Sequence, residues 1–150
     1  MSLFHQTKTF VIALIPAWLL TYVLACLFHT QRVVHGLVEV GVTVPFTDRL
    51  HISAYDIWGL LPAYGSAIAG ALIISLLVVA VLFRWTGRSY LLAMLGAGVA
   101  MLVMLTAMQP IMGVTLIAGA RETIGVVLQC AAGCAGGALF TYLYGRKSGT

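Results

Sequence analysis

The sequence predicts an all-α membrane protein of four transmembrane helices, with a structured outer loop between the first and second. Three observations carry this. The chain of 150 residues is 61% hydrophobic and only 8% charged, with a mean hydropathy of +1.05. Soluble domains carry about 25% charged residues, so a soluble core could not hide this much apolar surface. The uncharged windows have the length of membrane spans. The basic residues stand at the ends of those windows, as membrane anchors do. One domain is expected over residues 1–150.

The net charge of +4 does not point to nucleic acid, because no basic patch is interleaved with aromatic residues. Cys26, Cys130 and Cys134 all fall inside apolar runs, so no disulfide framework is implied.

A bilayer core of roughly 30 Å needs about 20 helical residues. The first span is expected at 9–28. Lys8 ahead of an apolar run resembles a signal peptide, but the run is 20 residues long, and a signal core has about 7–15. A retained span is therefore expected. Pro16 lies within it, and Trp18 and Tyr22 lie four apart on one face.

The outer loop is expected at about 29–57. It holds His29, His35 and His51, the acids Glu39, Asp48 and Asp56, and also Arg32 and Arg49. Residues 32–40 alternate Val33, Leu37 and Val40 with Arg32, His35 and Glu39, which suits a short surface helix ended by Gly41. Val42-Thr43-Val44 and Leu50-His51-Ile52 flank a turn and give a hairpin signal. Tyr55, Trp58 and Tyr64 suggest an interfacial aromatic belt.

Between Asp56 and Arg84 lie 27 uncharged residues, which give a second span at about 58–83. Ser53 and Asp56 offer a weak capping box at its start, and Pro62 and Gly65 make its first turns irregular. Between Arg88 and Arg121 lie 32 uncharged residues. Gln109-Pro110 divides them into a third span at 89–108 and an apolar connector. The fourth span runs over about 122–144. Thr115 is an alternative start, which would bury Arg121 about two turns below the helix end.

Four spans put both termini on one side with Lys8, Arg84, Arg88, Arg146 and Lys147. Arg32, Arg49 and Arg121 lie opposite with all four acids. Positively charged flanks stay inside, so both termini are expected to be cytoplasmic. The expected location is a bacterial inner membrane with a periplasmic loop. No internal repeat supports an inverted-repeat transporter.

Gly125, Gln129, Gly133 and Gly137 recur at four-residue steps. Such a stripe lets a second backbone approach, either within the bundle or from a partner or second copy. Arg121 and Glu122 are adjacent and do not face each other on a helix. Asp56 or Glu39 could pair with Arg121, making a polar site beneath the loop, or the pair could mark an interfacial helix end.

No metal or cofactor is expected. The histidines lack the spacing of three or four residues expected on a helix, and no cysteine pair joins them. Met101, Met104, Met108 and Met112 follow one face, but methionine commonly fills core gaps. No G-x-S-x-G, H-E-x-x-H, P-loop or G-x-G-x-x-G motif occurs, so enzymatic activity is not favoured. Asp48, His51 and Asp56 are the nearest thing to an acid–base set. The expected function is that of a non-enzymatic accessory or structural subunit that binds a membrane partner or itself. The alternative is a carrier or binder of a small apolar or lipid-like ligand between the helices under the loop, with Arg121 as anchor.

Overall fold

In the computed structural model, which describes residues 3–112 and 123–148, a 37-residue helix, α1 (Leu3–Glu39), forms the backbone of the assembly. It does not stop where the first apolar run stops. No proline interrupts the stretch from His29 to Val40, Gly36 is accommodated within the helix, and Thr30 and Val34 are buried, so the predicted surface helix at 32–40 is a continuation of α1. Gly41 ends it with φ at +88°. Its N–H donates to Val38 O at 3.0 Å, and the Val42 N–H donates to Leu37 O at 3.0 Å. This paired arrangement satisfies the last free carbonyls of a helix and favours glycine, which has no Cβ to clash.

The hairpin expected at 42–52 does not form. Its second arm lies inside α2 (Phe46–Gly59), and no strand occurs among the described residues. Two three-residue arms with no third strand are a marginal sheet. A helix instead gathers Arg49, Ser53, Asp56, Ile57 and Leu60 on a face four residues in repeat, all buried or half-buried, and α2 lays against α1. Phe46, Leu50, Tyr55 and Trp58 remain exposed.

A π-helical turn (Leu61–Gly65) joins α2 to α3 (Ser66–Thr86). Pro62 has no N–H to donate, and the Gly65 N–H reaches back five residues to Leu60 O at 3.2 Å. Irregularity at Pro62 and Gly65 thus appears as the sequence suggests. Ser53 is not a cap of this helix: it lies within α2 and donates to Arg49 O at 2.8 Å.

Helix α4 (Tyr90–Met112) runs through Gln109 and Pro110 without a break, extending past the expected end at 108. Helix α5 (Thr123–Ser148) follows. Four helical segments, Gln6–Glu39, Leu61–Thr86, Tyr90–Ala107 and Thr123–Arg146, are long and apolar enough to cross a membrane. The architecture is therefore that of an integral membrane protein with four spans. Where α5 begins upstream of Thr123 lies outside the described residues.

Helix α5 sits between α1 and α4, while α3 packs on the outside of α4 and against α1. Phe10 of α1 meets Phe140 of α5 edge-on, with centroids 5.4 Å apart, and Arg88 Nη1 donates to Gly145 O at 2.7 Å. The start of α1 and the end of α5 therefore share one end of the bundle, the terminal end. Helix α2 lies at the other, distal end, against α1 and the π turn.

Small residues at four-residue steps build the seams. Ala13, Ala17, Thr21 and Ala25 line α1, and Ala93, Ala97 and Met101 line α4; all are buried. Lipid gives helices no hydrophobic reason to associate, so close backbone approach and interhelical hydrogen bonds carry the packing.

Candidate functional site

The glycine stripe of α5 faces α4. A Cβ at Gly133 would stand 2.7 Å from Ala97 O, and one at Gly137 would collide with Ala93 O. Gly136, one position off the stripe, faces α1 against Ala17 and Thr21. Gly125 and Gln129 are buried as well. The stripe therefore meets this chain's own helices on two sides.

Gln129 is the polar centre of the interior, with 1% of its surface exposed. Its Oε1 accepts from the Tyr64 hydroxyl at 2.8 Å, and its Nε2 donates to Ala25 O at 3.1 Å. One side chain thus ties α5 to α1 and to the π turn. Tyr64, expected in the interfacial belt, is instead completely buried. The π turn accounts for this: the register change at Pro62 swings Tyr64 inward, whereas Tyr55 and Trp58 on α2 stay outside. Two more aromatic donors serve the π turn and the end of α2 just before it. Trp18 Nε1 donates to Gly65 O at 2.9 Å, and the Tyr22 hydroxyl donates to Ile57 O at 2.6 Å. Trp18 and Tyr22 stack at 6.1 Å. Among the described residues, no buried side-chain nitrogen or oxygen lacks a hydrogen-bond partner.

The residues grouped as a possible polar site divide. Asp56 Oδ2 accepts from the Thr30 hydroxyl at 2.7 Å, which pins α2 to α1. Glu39 lies on the exposed tip of α1, with Oε1 3.3 Å from His35 Nε2. Arg121 and Glu122 lie outside the described residues. His29 is buried in α1 while His51 is exposed on α2. No three of the described His, Cys, Asp and Glu side chains converge as a metal-binding group. Cys26, Cys130 and Cys134 carry free thiols, and Cys134 packs against Gly98 of α4.

Three concave regions stand out among the described residues. One, of about 630 Å³, is a groove on the outside of α3 and α4. The two helices touch where Gly96 meets Val79 and Ser75. Beside that contact they leave a trough floored by Ala67, Ala71, Ser75, Gly96 and Ala100 and walled by exposed Ile74, Val78 and Val103. The second, of about 350 Å³, lies at the distal end between Arg32, His35, Arg49 and Leu128. The third, of about 360 Å³, lies at the terminal end between α1 and α3, with Arg84 and Arg88 at its rim.

The spacing of the α5 stripe is legible in the sequence. Trp18 and Tyr22 are marked in the sequence as a pair on one face and Tyr64 as an interfacial aromatic, but their acceptors are not, and Thr30 is not singled out by any motif. The four-residue repeat Ala13, Ala17, Thr21, Ala25 is the signal that could have marked α1 as the facing helix. No protein-family model, curated protein or solved structure matches this chain.

Proposed function

We propose that this protein is a non-enzymatic accessory subunit of a membrane assembly, built to hold a transmembrane helix of another protein along the α3–α4 groove. The observation that carries the reading is a contrast between seams. The α4–α5 and α1–α5 seams are closed to backbone contact at Gly133, Gly136 and Gly137, whereas the outer side of the α3–α4 seam stays open with small residues along its floor. Ala67, Ala71 and Ser75 on α3 repeat every four residues, and Gly96 and Ala100 do the same on α4. Small residues at this spacing are what a third helix needs in order to approach. The described interior polar side chains already have hydrogen-bond partners within the chain, which directs recognition to the surface and not to the core.

The same reading takes the protein to reside in a bacterial inner membrane with both termini cytoplasmic. The support is the distribution of basic residues: Lys8, Arg84, Arg88, Arg146 and Lys147 flank the terminal end, against three arginines elsewhere.

A second reading, binding of an apolar or lipid-like ligand, draws on the same groove, whose lining is almost wholly apolar. Filling the groove with Ala71→Phe and Ala100→Phe separates the two. The full chain is purified in native lipid beside a control, Val127→Phe, on the exposed face of α5. A subunit role predicts one stoichiometric protein lost from the filled variant and kept by the control. Loss of a small molecule instead of a protein favours the second reading. Identical co-purifying species in all three preparations would refute both.

A further inference from the structure

The geometry points to the terminal-end cleft between α1 and α3 as a binding site for the phosphate of an anionic phospholipid, with Arg84 and Arg88 as its cationic rim. This goes beyond the subunit reading and is independent of what occupies the α3–α4 groove.

The cleft has the two-part chemistry of a lipid molecule. Leu77, Val81, Arg84 and Arg88 lie at successive steps of four, three and four residues along the chain, and all four border the cleft. From Leu77 to Arg84 the helix rises about 10 Å, so an exposed apolar wall leads from bilayer depth up to two guanidinium groups. Leu77 and Val81 are each about half exposed, which leaves that wall open to an acyl chain. Gln6 and Tyr144 add polar side chains on the facing sides.

The charge around the cleft has one sign. Lys8, Arg84, Arg88 and Arg146 lie at this end, while the described acids Glu39, Asp48 and Asp56 all lie at the distal end. Arg88 is held in place by its bond to Gly145 O. Arg84 makes no hydrogen bond or ion pair among the described residues, in the last turn of α3. A guanidinium offers five donors in a planar fork that matches phosphate oxygens. Basic pockets between membrane helices on the cytoplasmic side recognise anionic head groups in this way. The distal cleft also holds two arginines, but it shares its end of the bundle with all three described acids, so it is the weaker anion site.

The test is native mass spectrometry of the full chain from mixed micelles with equal phosphatidylglycerol and phosphatidylcholine of identical acyl chains. The wild type is expected to retain phosphatidylglycerol over phosphatidylcholine by roughly thirtyfold, the preference that two interfacial arginines supply. Arg84→Gln should remove most of that preference, Arg84→Lys should keep part of it, and Arg49→Gln at the distal end should leave it intact. Because Arg88→Gln also removes the bond to Gly145, it is read only alongside an unchanged melting temperature in phosphatidylcholine alone. A parallel arm adds inorganic phosphate. Stabilisation by phosphate in the wild type, lost in Arg84→Gln and without lipid preference, would confirm phosphate recognition and move its source to a soluble ester. Equal retention of both lipids with no phosphate effect, or a phosphatidylglycerol preference untouched by Arg84→Gln, overturns the proposal.

Discussion

Replacing Gly133 by alanine adds one methyl group where the α4 and α5 backbones meet. The new Cβ would stand 2.6 Å from Met101 Cγ, 2.7 Å from Ala97 O and 3.1 Å from Ala97 C. The Met101 side chain can swing aside. The Ala97 backbone cannot, because it is part of α4. Comfortable non-bonded separation is about 3.5–4.0 Å, so the two helices must part by roughly 1 Å along their best-packed seam. Overpacking of this kind costs about 1–3 kcal/mol. For a chain of this length each kcal/mol shifts the melting temperature by about 2–4 °C, so Gly133→Ala should melt several degrees below the wild type. Gly70 is the internal comparison. It is exposed on α3, and a Cβ there meets nothing within 4 Å. Gly70→Ala should therefore be neutral, or stabilising by up to about 1 kcal/mol through helix propensity. Thermal unfolding of both variants in the same mild detergent, followed by circular dichroism, reads the difference. A Gly133→Ala protein as stable as Gly70→Ala would refute the close approach of α4 and α5.

Tyr64→Phe removes the donor to Gln129 Oε1 and should cost about 0.6–2 kcal/mol. A double-mutant cycle with Gln129→Leu should show positive coupling in denaturant titrations, and additivity would count against the bond. Gly41→Ala forces a side chain onto a left-handed backbone at φ +88° and should cost about 1–2 kcal/mol, visible as faster amide exchange at the tip of α1 with the core unchanged. For orientation, a cysteine at exposed Thr43 should react with a membrane-impermeant thiol reagent in intact cells, whereas one at Ser148 should react only after lysis. The opposite pattern would invert the topology.

The four spans were legible because charge is excluded from them, and that constraint acts on every residue of a span. The stripe of α5 was legible for a related reason: glycine repeated every four residues has few other uses in hydrocarbon. What the sequence concealed is concentrated at the distal end. Residues 42–52 carry β-branched and alternating side chains, but their fate was decided by the long-range contact of α2 with α1 through Thr30 and Asp56. Tyr64 looked interfacial because aromatic residues collect at membrane surfaces, yet the π turn rotates it inward, and no local pattern encodes that rotation. The partners of Gln129 are separated from it by 65 and 104 positions. Such pairings depend on how whole helices are arranged, which spacing within one helix cannot report.

The irregular turn at Leu61–Gly65 has a consequence for how the protein is made. Its departure from regular hydrogen bonding is supported from outside itself: α1 brings the Trp18 indole to Gly65 O and the Tyr22 phenol to the Ile57 carbonyl just upstream. Both helpers leave the ribosome before the segment they serve, so the second span enters the bilayer beside a template already waiting for it. Gln129 emerges last and bonds to Tyr64 and Ala25 together, acting as a latch on helices already in place. Truncation before α5 should therefore leave a membrane-inserted but unlatched intermediate, with Tyr64 still lacking its acceptor.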